Sequence, residues 1–324
     1  MKKLVIEFSN ERLITPSGLS LMGQLLGKSN FIKKCNNIKV DGKRSQSQIK
    51  NGDILLSYIG LLCQGNISYD AINEMSDDPE YYRLALGITR AIPPAEALRL
   101  RMDDIGPSLR EEILNANVDM FNTFNVQPSA LESGLVPLDL DVTPMDNSKT
   151  RKEGVSHTYK GFDGYARMMS YIGKEGFLAN TELREASQHC QCNTIWTNLG
   201  WSDDDIINGY HTHGECEQFH SEIKTDMNVE RLPSDKFDTN ELVLELTVLA
   251  YNILRLIGQE SLKSKRAPKT KHPVKRRRIR TVIGNLIQIA GHITTHGRRI
   301  VLAIGCSNVW HHVFLDIYNR FALA

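Results

Sequence analysis

Over the first 135 positions apolar residues recur three and four apart, and from position 136 the pattern changes to alternation. Helical spacing runs through 18–26, 49–62, 69–75 and 78–86. Asp77-Asp78-Pro79 supplies a cap and a first-turn proline for the last of these. Pro93-Pro94 breaks the pattern, which resumes over 95–124 with an interruption at Gly106-Pro107 and Ser108 as a new N-cap. These segments predict a small helical bundle, which either docks on DNA or packs only against the rest of the chain.

At 136–144 Leu138, Leu140 and Val142 alternate with Asp139 and Asp141, and Pro144 closes the run. This is the pattern of a strand. Side chains two apart share a face, so the apolar set is expected in a core and both aspartates on the opposite face. Carboxylates about 7 Å apart along a strand repel by roughly 2 kcal/mol at an effective dielectric of about 20. Water relieves that repulsion, and so does a divalent cation. A polar, basic connection over 146–154 follows, then strands at 164–172 and 176–183 around the turn 173–176. Short connections between three strands predict an antiparallel meander.

Ser202 followed by Asp203, Asp204 and Asp205 reads as a capped helix start, with acids favouring the positive end of the helix dipole. Continued as a helix, the segment puts Tyr210, His213, Glu217, His220 and Lys224 on one face, at steps of three and four. That face is either solvated or partnered, and a carboxylate strand with a metal between is one such partner. A zinc site from His213, Glu217 and His220 also fits the spacing. Gly209 and Gly214 each cost about 1 kcal/mol within a helix, so packing must hold it. An apolar helix over 242–257, a helix over 276–296 and a strand over 299–304 complete the chain. No internal repeat and no glycine-rich phosphate loop occurs.

Length predicts about two domains, and ordinary apolar content with a net charge of +1 predicts a folded globular protein. The balance hides an asymmetry. No acidic residue occurs over 261–315, while ten Lys and Arg crowd into 263–280. Such a run is either a solvated tail or the contact for a polyanion. The first seven residues lack the apolar run of a signal peptide, and the 242–257 segment, with Glu245 and Arg255 inside it, reads as a buried helix and not a membrane span. Six scattered cysteines, with Cys190 and Cys192 too close for the usual zinc knuckle, predict reduced thiols in a cytoplasmic protein.

These residues together resemble a family, the DDE-type transposases of bacterial insertion sequences, whose catalytic domain is ribonuclease H-like. The marks are Leu140-Asp141-Val142-Thr143-Pro144 with 146–150 after it, Tyr159-Lys160-Gly161, Leu183-Arg184-Glu185, and above all 210–224. In that last stretch Tyr210, Glu217 and Lys224 fall in register on the tyrosine–arginine–glutamate–lysine signature of one large transposase group, with His213 at the arginine position. The resemblance implies an α/β protein with an N-terminal helical domain at 1–135 and a ribonuclease H-like domain at 136–324. It implies Asp141 and Glu217 as catalytic Mg2+ (or Mn2+) ligands, with Asp139 beside them, and metal-dependent phosphodiester cleavage and strand transfer at transposon ends. Tyr210, His213, Lys224, Lys275, Arg276, Arg277, Arg278 and Arg280 would contact DNA, the basic segment spanning 261–282. Partners would be double-stranded terminal inverted repeats and target DNA, bound by a homodimer, with no membrane, in the bacterial cytoplasm and nucleoid.

One family segment has no counterpart here. The strand with the middle catalytic aspartate should lie between Leu183-Arg184-Glu185 and the glutamate helix, yet the chain runs through Cys190 and Cys192 directly into 193–198. The resemblance therefore implies an internal deletion near 190–194. Asp203, Asp204 and Asp205 are the nearby replacements, and helix capping accounts for them. Without a third carboxylate, little strand transfer is expected, while DNA binding survives. The alternatives are an active enzyme with a recruited carboxylate, a DNA-binding remnant acting as an inhibitor, and a decay product with exposed sheet edges.

Overall fold

The computed structural model describes residues 4, 6–38, 48–132, 134–186, 202, 204, 214–270, 272–297 and 299–323. The class is mixed α/β, with helices leading and sheets following. A short strand β1 (Arg12–Ile14) precedes α1 (Leu19–Leu26), α2 (Phe31–Asn37) and α3 (Asn51–Cys63). Then come α4 (Pro79–Leu86), α5 (Ala95–Ile105) and α6 (Arg110–Thr123). Asp78 caps α4 by accepting from the Tyr81 amide, with Pro79 in its first turn, and a 3-10 turn at Gly106–Ser108 separates α5 from α6. The Asp78 cap and the break at Gly106-Pro107 match the expectation, but Ser108 lies within the turn and Leu109, with no side-chain cap, takes the N-cap position of α6.

The sheet that carries the aspartates contains β2 (Leu138–Asp146), β3 (Ser156–His157), β4 (Asp163–Ile172) and β5 (Phe177–Glu185), all antiparallel, with β4 between β2 and β5. The meander expected from the alternation is present. At its β4–β5 turn Gly173 and Gly176 adopt φ of +77° and +66°, where a Cβ is strained. Gly176 is also needed for space: a Cβ there would lie 2.2 Å from the Phe219 ring. Phe219 belongs to α7 (Gly214–Ser221), which is thereby seated on the sheet.

The central pillar is α8 (Phe237–Lys263), buried almost all round, as a helix apolar on every face must be. It packs against α3, α5 and α6 on one side and β5 on the other, so the leading helices and the sheet share one hydrophobic core. Its polar side chains are paired inside. Asn252 accepts from the Leu178 amide at 2.9 Å and donates to the Leu178 carbonyl at 2.7 Å and to Asn117 Oδ1 at 2.8 Å. Arg255, fully buried, donates to Glu222 and Tyr251 and, at 2.9 Å, to the Arg277 carbonyl. No helix among the described residues is long and apolar enough to cross a membrane.

Two expectations are corrected. The helix expected over 276–296 is shorter: α9 (Ile279–Val282) widens into a π turn at Ile283–Ile287, and β6 (Gly291–His296) then pairs with β7 (Arg299–Ile304). The β-branched run Ile293-Thr294-Thr295 favours strand geometry once a partner is available. β1 adds to the other edge of β6, and α10 (His311–Leu323) packs on α1, so the two ends of the chain meet. The second correction concerns β2. Leu138 and Leu140 are 58% and 60% exposed, and Val142 is exposed too. It is the aspartate face that is covered, because α7 and α8 both lie on that side, touching Tyr165 and Tyr171 of β4.

Candidate functional site

The register of β2 with β4 sets Asp139 opposite Tyr171, Asp141 opposite Met169 and Thr143 opposite Arg167. α7 crosses above this row. Its His220 is buried, with Nε2 2.9 Å from Asp141 Oδ2 and Nδ1 3.3 Å from the Tyr171 hydroxyl. The Tyr171 hydroxyl also lies 3.3 Å from Met169 Sδ. Cys216, one helical turn before His220, places its Sγ 3.5 Å from the same Nε2. Burial, with the charges of Asp141, Asp139 and Glu217 nearby, pushes the Cys216 thiol up to about 12, so at neutral pH it is a thiol and not a nucleophilic thiolate.

Glu217 projects elsewhere. It is exposed and lines an open cleft of about 650 Å³ with Gln218, Ser221, Lys275, Arg276 and Arg278. Among the described residues, the group of metal-ligating side chains whose donor atoms fall within 4.8 Å of one another is Asp141, Cys216 and His220. Asp139 and Glu217 are not part of it. The single polar face expected from the 210–224 spacing is therefore divided between a buried His220 aimed at the sheet and an exposed Glu217 aimed at the cleft. Tyr210, His213, Asp203 and Asp205 lie outside the described residues, as does the stretch 190–194.

The π turn at Glu222–Asp226 continues α7 and redirects the side chains beyond Ser221. It turns Lys224 back to β2, where Nζ donates to the Pro144 carbonyl at 2.6 Å and lies 3.6 Å from Glu230. Burial, opposed by Glu230, lowers the Lys224 ammonium from its usual value. Lys224 thus fastens the helix to the strand that carries Asp141. Glu222, in the same turn, is buried against Arg255 and accepts from the Ile279 amide at 3.2 Å. Asp226 accepts from Arg278 Nε at 2.8 Å and lies 3.5 Å from Arg280 Nε. This one short turn holds the sheet, the core helix and the basic segment to one another.

The basic residues take different positions. Arg276 lies over the Phe219 ring, 4.4 Å from its centroid, and donates to Gln218 at 2.9 Å. Arg278 and Arg280 keep most of their surface in solvent while paired with Asp226. Arg277 turns inward: Nε donates to Ser261 Oγ at 2.6 Å and the guanidinium covers the Trp310 ring at 4.8 Å. Its burial removes it from the set expected to meet a phosphate backbone.

Cys216 and Tyr171 did not stand out in the sequence. Cys216 is four residues from His220, a spacing that shares a helical face, but its meaning depends on β2 lying beneath. Residues 186–324 match the family model described as the transposase DDE domain, group 1. That match supports a DDE-type transposase. It covers α7, Glu217 and the basic segment and begins after β5, so Asp141 lies outside it. No curated protein and no solved structure matches the chain.

Proposed function

We propose that this chain is a DDE transposase reduced to its DNA-holding function, binding the ends of a mobile element without efficient cleavage. The carrying observation is the cleft in which Glu217 stands beside Lys275, Arg276 and Arg278. Cations grouped along one wall of an open cleft suit a phosphate backbone, which binds by charge and releases counterions. Arg276 is held in place by its ring and amide partners, so it reaches a phosphate with less ordering cost than a free side chain.

DDE transposase domains use divalent metal ions, and the donor set argues against an efficient oxygen-ligated pair of ions here. Mg2+ requires carboxylates and water in near-octahedral geometry. Among the described residues Asp141 is grouped with a thiol and an imidazole, and its Oδ2 is already 2.9 Å from His220. The described residues do not fit a two-Mg2+ centre. On this reading Asp141 and Glu217 are what remains of the carboxylate set, with the middle aspartate lost in the internal deletion that the resemblance implies near 190–194.

The test is purified full-length protein with a duplex carrying the element's end, with and without Mg2+, reading binding and cleavage together. Binding that weakens steeply with salt is expected, and each of Arg276→Ala and Arg278→Ala should reduce the salt slope by about one. Glu217→Ala removes a negative charge from the cleft and should not weaken binding, and no Mg2+-dependent product should form. Cleavage that requires Mg2+ and disappears in Glu217→Ala would show a complete enzyme and overturn the reduced-function reading. A folded protein that fails to bind the duplex would overturn the DNA-holding role itself.

A further inference from the structure

Three ligand atoms converge between α7 and β2: His220 Nε2 lies 2.9 Å from Asp141 Oδ2 and 3.5 Å from Cys216 Sγ, with the Tyr171 hydroxyl 3.3 Å from Nδ1 on the far side of the ring. Nitrogen, sulfur and oxygen brought together in this way form the donor set of a metal ion.

We propose that Asp141, Cys216 and His220 form a binding site for a thiophilic divalent transition-metal ion, with zinc the best match. Sulfur, nitrogen and one carboxylate oxygen suit zinc better than a hard cation. Tetrahedral zinc with ordinary bond lengths sets its sulfur and nitrogen ligands about 3.5 Å apart, and the observed separation is 3.5 Å. The sulfur and nitrogen come from the buried side of one helix, seated by Phe219 on Gly176, so their spacing is preset. Asp141, whose side chain is 44% exposed, supplies the adjustable third ligand and the side from which an ion enters. Tyr171 holds the imidazole from behind, an orienting partner such sites commonly use. On binding, the ion replaces the proton of the Cys216 thiol, which passes to solvent, so affinity falls as pH is lowered. A fourth position is left for water. The site stands apart from the DNA-holding role, although an ion there engages the same Asp141 carboxylate that the family resemblance assigns to catalysis.

The experiment titrates the full-length protein, without DNA, with Co2+ and then displaces it with Zn2+. One Co2+ per chain is expected, with thiolate-to-cobalt absorption in the near ultraviolet and the strong visible bands of tetrahedral coordination. Cys216→Ala should abolish the thiolate band, Asp141→Asn should weaken binding while keeping it, and Tyr171→Phe should lower affinity about tenfold. A Cys190→Ser/Cys192→Ser double variant should keep the band. Asp141 is half-exposed, so its variant remains informative if Cys216→Ala does not fold. A folded wild-type protein without the band, or a band that survives Cys216→Ala or vanishes with Cys190 and Cys192, would overturn the proposal and leave His220 and Asp141 as a hydrogen-bonded pair only. Because DNA is absent, neither result depends on whether the chain binds element ends.

Discussion

The two faces of the β2–β4–β5 sheet are built from the same three strands and differ in almost everything else. The face with Asp139 and Asp141 is roofed by α7 and α8 and carries polar and titratable side chains held at fixed distances. The face with Leu138, Leu140 and Val142 meets no such roof among the described residues, and these leucines keep more than half their surface. A sheet ordinarily buries its apolar side and wets its polar side. Here the covering helices are drawn to the polar side by aromatic contacts from β4, Tyr165 to Phe237 and Tyr171 to Phe219 and Tyr251. Alternation identifies which residues share a face; the neighbouring aromatic strand decides which face is covered.

If the covered face depends on internal charge pairing, the largest effect should come from Glu222, which compensates buried Arg255. Glu222→Ala is expected to destabilise by about 3–5 kcal/mol, because it leaves a buried guanidinium with its main counter-charge removed; denaturant unfolding measures it. An unchanged midpoint would mean the α7–α8 junction is not held by this pair.

Glu245 of α8 gives the next effect. Its buried carboxyl is pushed up to about 7 by loss of water, partly opposed by Arg110 3.5 Å away. A carboxyl raised in the folded state binds more protons there than in the unfolded chain, so the contribution of Glu245 to stability is greatest below about pH 4.5 and declines as pH rises towards 7. Glu245→Gln should remove that decline, with a gain of at most about 3 kcal/mol at pH 8 and little change near pH 5. Melting curves at the two pH values test the sign.

Arg167 is fully buried on the same face, and its three guanidinium nitrogens have no hydrogen-bond partner among the described residues. Burial lowers its charge affinity, with Tyr171 and Glu230 opposing. Arg167→Met should therefore stabilise the protein by about 1–3 kcal/mol, and a lower melting temperature would show that the guanidinium has a necessary partner. On the open face, Leu140→Ser should change stability by no more than about 0.5 kcal/mol. A loss comparable to a core truncation there would mean that the apolar side is covered in solution, and the contrast between the faces would fail.

Much of the scaffold was readable from local chemistry. Asp78-Pro79 set the start of α4, Gly106-Pro107 the break before α6, and the glycines at 173 and 176 the turn that makes β4 and β5 a hairpin. The long apolar helix was legible because its pattern is unbroken on every side. Less was legible at the ends, where β1 joins β6 across nearly the whole chain. A three-residue strand leaves little periodicity, and its partner lies far beyond any window in which pattern can be seen.

The site divides in the same way. Sequence spacing placed Glu217, His220 and Lys224 on one helical segment, Asp139 and Asp141 on one strand, and the cations in one run. Tertiary structure then separated what spacing had grouped. The π turn sends Lys224 to the Pro144 carbonyl, Arg277 turns inwards under Trp310, and Glu217 faces the basic cleft while His220 and Cys216 close on Asp141. The elements and the chemical groups that each one carries follow from the order of residues, because capping, turn geometry and periodicity act over a few positions. Which groups meet follows from folding, because it depends on contacts between segments far apart in the chain, and on which face of a sheet offers the better packing.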